Sequence, residues 1–123
     1  MSKLVLAIDD DKYVHRVIEE SLAGFCKIIH AKNGEEGLRQ AKKYNPDIIL
    51  LDVEMPGKTG YEVCRELKSL EQTKDTPIMF LSGRSALPER VKGYNSGAAD
   101  YIVKPFNAET LKGKIEAVLG AFD

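Results

Sequence analysis

Short β-rich runs alternate along this chain with longer segments of helical period, and that alternation leaves few folds open. Leu4-Val5-Leu6-Ala7-Ile8, a run from about Cys26 to His30, Ile48-Ile49-Leu50-Leu51, Ile78-Met79-Phe80-Leu81 and Tyr101-Ile102-Val103 are the strand candidates. Between them apolar residues recur at three- and four-residue spacing, the pattern of βα units building a parallel sheet. The fold class is therefore α/β. Four of the runs end on polar chemistry: Asp9-Asp10, Asp52, Ser82-Gly83 and Lys104-Pro105. In an open parallel sheet, ligands bind just outside the carboxyl ends of the strands. Three carboxylates, an ammonium and a hydroxyl are thus expected to share one pocket.

The 123 residues are expected to form one domain, 1–123, without an output domain. Lys+Arg 18 against Asp+Glu 19 gives a formal charge of -1, too little field to draw nucleic acid or an anionic membrane. No apolar stretch approaches the roughly 18 residues of a membrane span, and the N-terminus lacks the basic segment and apolar core of a signal peptide. A cytoplasmic protein with no membrane insertion and no direct nucleic-acid partner is expected. Cys26 and Cys64 match no paired metal-ligand spacing and read as two reduced, buried cysteines.

Helix signals fall between the runs. Val14, Val17, Ile18 and Leu22 form the stripe of a first helix, stopped by Gly24. Asn33 can cap a second, with Leu38, Ala41 and Tyr44 as its apolar stripe, Glu35, Arg39 and Lys43 on its wet face, and Asn45-Pro46 breaking it. Thr59-Gly60-Tyr61-Glu62 has capping-box spacing ahead of Val63, Leu67 and Leu70. A fourth helix after Pro88 has only Val91 and Tyr94 as anchors. Asn107 can cap the last, whose stripe is Leu111, Ile115, Val118, Leu119 and Phe122.

Carboxylates gathered within a few ångströms repel, so either one stays protonated or a cation neutralises them. Oxygen ligands with room for water suit Mg²⁺, with Mn²⁺ as a substitute. Lys104 adds a fixed positive charge, and an ammonium beside a divalent metal stabilises charge on a phosphoryl group. Asp52 can then act as the nucleophile that forms an aspartyl phosphate, with the Ser82 hydroxyl donating to a phosphoryl oxygen. Acids just after strands are often helix caps, and Asp11 reads as one; taken singly, Asp9 and Asp10 read equally well as caps, Lys104 as a solvated lysine and Ser82 as a turn residue. Their joint placement at strand ends argues against those readings. His15, off the first helix's stripe, reads as a solvated or docking residue, and His30 as a strand-end residue.

Ile8-Asp9-Asp10-Asp11, Leu51-Asp52-Val53-Glu54-Met55-Pro56-Gly57, Phe80-Leu81-Ser82-Gly83, Gly97-Ala98-Ala99-Asp100-Tyr101 and Val103-Lys104-Pro105-Phe106 occur in that order. Together they resemble the receiver domain of bacterial two-component response regulators, of the single-domain chemotaxis and sporulation kind. The resemblance covers essentially the whole chain. It implies a flavodoxin-like three-layer sandwich around a five-stranded parallel sheet in order 2-1-3-4-5. It further implies that Asp52 is the phosphoacceptor, charged by a phosphohistidine of a sensor kinase or histidine phosphotransfer protein. Asp10 and Asp52 would bind Mg²⁺ directly, Asp9 through water, and the Glu54 backbone carbonyl would add a ligand. Lys104 would pair with the phosphoryl group and be joined to Pro105 by a cis peptide. Ser82 and Tyr101 would form the switch pair that remodels the face of the fourth helix, fifth strand and fifth helix for a downstream protein target. Kinase and phosphotransfer partners would contact the chain around His15, Arg16, Pro105 and Phe106.

Ser82 stands where threonine is common in that family, which keeps the hydroxyl and removes a rotamer-restricting methyl. Glu54 and Arg84 occupy its variable positions flanking the phosphoryl group, where an ion pair would hinder attacking water. A Mg²⁺-dependent phosphohydrolase with an aspartate nucleophile would share the chemistry, but it usually carries a second acid two residues after the nucleophile and a cap region. Here Val53-Glu54 follows and no length remains for a cap. A flavin or nucleotide module would show a Gly- or Ser/Thr-rich phosphate cradle where Asp9-Asp10-Asp11 stands. A receiver that binds proteins without phosphorylation is disfavoured, because every acidic-pocket position and Lys104 are present. The expected protein is a switch that catalyses its own phosphorylation and slow dephosphorylation, and not a turnover enzyme.

Overall fold

The computed structural model describes residues 3–83 and 97–120. Five strands, β1 (Lys3–Ile8), β2 (Cys26–Ala31), β3 (Ile48–Asp52), β4 (Ile78–Ser82) and β5 (Asp100–Val103), pair in parallel in the order β2-β1-β3-β4-β5. Helices α1 (Lys12–Leu22), α2 (Gly34–Tyr44) and α3 (Gly60–Ser69) and a C-terminal helix (Ala108–Leu119) complete the described elements. The helix expected around Pro88, Val91 and Tyr94 lies outside the described residues, as do Arg84 and Phe122. No helix among the described residues is long and apolar enough to cross a membrane.

The central strands are apolar throughout because both faces of the sheet are covered. Leu6, Ile8, Ile49, Leu51 and Phe80 point to one side and pack with Leu38 and Ala41 of α2 and Val63, Cys64 and Leu67 of α3. Their neighbours Val5, Ala7, Ile48, Leu50, Met79 and Leu81 point to the other, against Ile18 and Leu22 of α1 and Leu111 and Ile115 of the C-terminal helix. Burying each such aliphatic side chain stabilises the fold by about 1.5–3 kcal/mol, which makes these two layers its main support.

Four helices start on the side-chain caps their sequences suggested. Asp11, Asn33, Thr59 and Asn107 accept hydrogen bonds from the backbone N–H of Tyr13, Glu36, Glu62 and Thr110, and Thr59 with Glu62 completes a capping box. Each cap satisfies donors that the first turn leaves unpaired. Some apolar stripes are narrower than their spacing suggested. Tyr44, the last residue of α2, is 44% exposed, with Lys43 over its ring, and the left-handed Asn45 caps the helix directly after it. Val14 only flanks the core formed by Ile18 and Leu22. Neither cysteine is in a disulfide; Cys64 is buried, whereas Cys26 on the edge strand is only partly so.

Gly60 brings α3 against the end of β3. A Cβ there would lie 2.2 Å from the Asp52 backbone oxygen and 2.9 Å from Val53 Cα, and backbone cannot yield as a side chain can. Gly113, exposed inside the C-terminal helix, has nothing within 4 Å of the same position. Gly60→Ala is therefore expected to lose about 1–3 kcal/mol in urea unfolding, while Gly113→Ala gains about 0.5–1 kcal/mol. Equal effects at the two sites would contradict the packing described for α3.

Candidate functional site

Backbone pairing carries past the strand ends and fixes the polar residues there. Asp9 N–H donates to the Ala31 carbonyl at 3.1 Å, Val53 N–H to Leu81 at 3.0 Å and Lys104 N–H to Ser82 at 2.6 Å. Asp52 is the last residue of β3 and Ser82 the last of β4, and both are buried. Asp9, fully buried, follows β1, and Lys104 follows β5. Asp10 remains exposed at the rim. These side chains converge on an open cleft of about 810 Å³ that Glu54 also lines.

Lys104 Nζ donates to Asp9 Oδ2 at 2.8 Å and to Asp52 Oδ1 at 3.3 Å. Asp9 Oδ1 accepts the Asp11 N–H at 2.9 Å, and Asp52 Oδ1 also accepts the Glu54 N–H at 3.3 Å. Both oxygens of Asp9 are thus engaged. Among the described residues, Asp52 Oδ2 accepts no hydrogen bond. The peptide joining Lys104 to Pro105 is cis.

Charge in this cluster does not balance. Asp9, Asp10 and Asp52 can each offer a ligand oxygen, all within 4.8 Å of one another. Among the described residues, one ammonium is paired with these carboxylates, that of Lys104. Burial, and next the charge of Asp9, push the Asp52 carboxyl up to about 6, despite the opposing pull of Lys104. Burial alone would lower Lys104, but the hydrogen bond and charge of Asp9, followed by Asp52, outweigh it and leave the ammonium above its ordinary value. A carboxylate that stays reluctant to ionise beside a lysine marks a site short of positive charge. A hard divalent cation with oxygen ligands fits that deficit.

The structure brings together Asp9, Asp10, Asp52, Glu54, Ser82 and Lys104 as the sequence suggested. Tyr101, on β5, is 4% exposed, its ring edge-on to Phe80 at 6.4 Å between centroids. Its hydroxyl is buried and has no hydrogen-bond partner among the described residues. The proposed pairing of Glu54 with Arg84 involves a residue outside the described ones.

His15 and His30 correct the sequence reading. His15 is half-buried, with Nε2 2.7 Å from the Asp9 carbonyl oxygen and Nδ1 2.6 Å from His30 Nδ1. His30 Nε2 in turn lies 2.5 Å from Glu19 Oε2. Helical spacing placed His15 off the stripe that meets the core, which is correct, but α1 crosses β1 and β2 closely enough for the flank to touch the sheet. The available signal was parallel pairing of the first two strands, which sets His30 beside Ala7 and near the start of α1.

A family model described as "Response regulator receiver domain" matches residues 5–116. The response regulator MprA of Mycobacterium leprae is 41% identical over 117 residues, covering 94% of this chain and 50% of that protein. The chain spans about half the length of the curated relatives it matches. The chemotaxis protein CheY4 of Vibrio cholerae superposes with a TM-score of 0.91 at 35% identity, over 97% of this chain and 100% of that one. The receiver domain of a sensor histidine kinase from Pseudomonas aeruginosa, with a magnesium ion coordinated in its active site cleft, gives 0.89 at 25% identity over 98% and 100%.

Ionising Asp52 in the metal-free fold carries a penalty with a definite sign. Its carboxyl rises from 3.8 to about 6 on folding, so its favourable contribution is complete below pH 3.8 and is lost as pH rises through 6. Two units correspond to roughly 1–3 kcal/mol. In urea unfolding with EDTA, Asp52→Asn is expected to be more stable than the parent by that amount at pH 7.5. The gap should shrink toward pH 4 and on adding Mg²⁺. A gap independent of both would contradict this charge balance.

Proposed function

The chain belongs to the response regulator receiver domain family, and on that premise we propose that Asp52 accepts a phosphoryl group from a phosphohistidine of a sensor kinase or phosphotransfer protein. The observation that carries this reading is the deficit of positive charge around Asp52, whose carboxyl is held near 6 beside Asp9 and Lys104. Asp52 Oδ2 supplies the electron pair that forms the new O–P bond. The N–P bond of the phosphohistidine breaks, and its electrons return to the imidazole, which takes up a proton. Lys104 is placed to follow the charge from the carboxylate to a phosphoryl oxygen. Ser82, at the end of β4, donates its hydroxyl to another.

Asp10 and Asp52, with the Glu54 carbonyl and with Asp9 acting through water, would hold Mg²⁺. When bound, that ion neutralises the cluster and stabilises negative charge on the transferring group. Asp9 keeps both oxygens engaged by Lys104 and the Asp11 N–H, which suits an outer role.

Output is proposed to run through Ser82 and Tyr101. Among the described residues the Tyr101 hydroxyl has no partner, and a buried hydroxyl left so costs on the order of 1–3 kcal/mol, so a shift of Ser82 toward the phosphoryl group can tip the ring. Phosphorylation then changes the face around β5 and the C-terminal helix that a downstream protein reads. On the input side, His15 is turned into the sheet, so partners would meet the apolar groove of Tyr13, Val14, Val17, Pro105 and Phe106 instead. Tyr13 is 73% exposed.

Acetyl phosphate with Mg²⁺ should give one added phosphoryl group by intact mass, absent in Asp52→Asn and reduced at least tenfold by EDTA. An adduct retained in Asp52→Asn, or sustained turnover of phosphomonoesters, would favour the phosphohydrolase reading.

A further inference from the structure

His15 and His30 form a contact that the phosphoryl chemistry does not use. Their Nδ1 atoms lie 2.6 Å apart, with the rings edge-to-face at 4.6 Å between centroids. The other nitrogen of each ring faces an acceptor. His15 Nε2 is 2.7 Å from the Asp9 carbonyl oxygen, and His30 Nε2 is 2.5 Å from Glu19 Oε2. A carbonyl and a carboxylate oxygen only accept, so each Nε2 carries the ring hydrogen. In two neutral imidazoles both Nδ1 atoms then direct lone pairs at each other. That arrangement is repulsive unless a cation lies between them. We propose that His15 Nδ1 and His30 Nδ1 bind one borderline divalent transition-metal ion, with Zn²⁺ as the reference case.

Both rings have the outer support that metal-bound histidines show, one N–H given to a carbonyl and the other to a carboxylate, which fixes tautomer and ring orientation. Imidazole nitrogen suits Zn²⁺, Cu²⁺ and Ni²⁺, whereas the oxygen cluster at Asp52 suits Mg²⁺. The two sites therefore select different ions. Bonds of about 2.0–2.1 Å at a tetrahedral angle set two ligand nitrogens roughly 3.3 Å apart. The rings need to part only slightly from 2.6 Å. Water completes the coordination, and the exposed Glu19 carboxylate places negative charge beside His30. Any proton shared between the two Nδ1 atoms leaves as the ion enters. The ion would fasten α1 to β2 at one end of the sheet.

The test uses the full chain in saturating Mg²⁺, which fills the oxygen cluster, titrated with Zn²⁺ by calorimetry and by ¹⁵N spectra of the imidazoles. One ion per chain is expected, with both Nδ1 resonances moving to metal-bound positions and affinity falling at least tenfold in His30→Gln and in His15→Asn. The spectra of the unaltered chain decide the matter even where a variant folds poorly. Absence of stoichiometric binding, or binding that leaves the ring nitrogens unmoved, overturns the proposal. So does full affinity in the folded variants.

Discussion

Burying Asp9 and Asp52 against Lys104, their one paired cation among the described residues, is the constraint on which the rest of this structure depends. Two carboxylates with almost no exposure cannot both ionise comfortably, and Lys104 relieves only part of the cost. An ion pair of this kind adds little net stability by itself, yet removing Lys104 would strand buried carboxylate and typically costs about 3–5 kcal/mol. The fold therefore holds the cluster in place through its two apolar layers and keeps it short of positive charge. That shortage is what a divalent cation and a mobile phosphoryl group can answer in turn.

Position, more than residue type, gives the neighbouring acids different work. Asp9 is tied through both oxygens to Lys104 and the Asp11 N–H. Asp10 stays exposed at the rim, and Asp11 caps α1 through the Tyr13 N–H. Gly60 performs a related service at β3, since its missing side chain lets α3 start directly against the Asp52 carbonyl. The Asp52 carboxylate is thus anchored from the strand, from the following helix and from Lys104.

Much of this was legible in the sequence because it is local. Strand runs, the caps at Asp11, Asn33, Thr59 and Asn107, and the acids at strand ends follow from periodicity and from side-chain chemistry within a few residues. The motif Val103-Lys104-Pro105-Phe106, read with Asp9 and Asp52, was enough to anticipate the cluster. Features set by the relative position of elements were harder to read. Tyr44 fits its stripe by spacing, yet at the last position of α2 it lies exposed beyond the buried Leu38 and Ala41. The contact of His15 with His30 depends on how α1 lies over β1 and β2, which no single-element period encodes. Helical phase says which side of α1 meets the sheet and does not say how far its flank is covered.

The central claim is that Asp52 sits in a site short of positive charge that a divalent cation completes. The most direct measurement is the titration of the Asp52 side-chain carboxyl by ¹³C spectroscopy, assigned with Asp52→Asn, in EDTA and in saturating Mg²⁺. A midpoint near 6 in the metal-free protein, falling by at least one unit with Mg²⁺, is the expected result. A midpoint near that of an ordinary aspartate, unmoved by Mg²⁺, would contradict it.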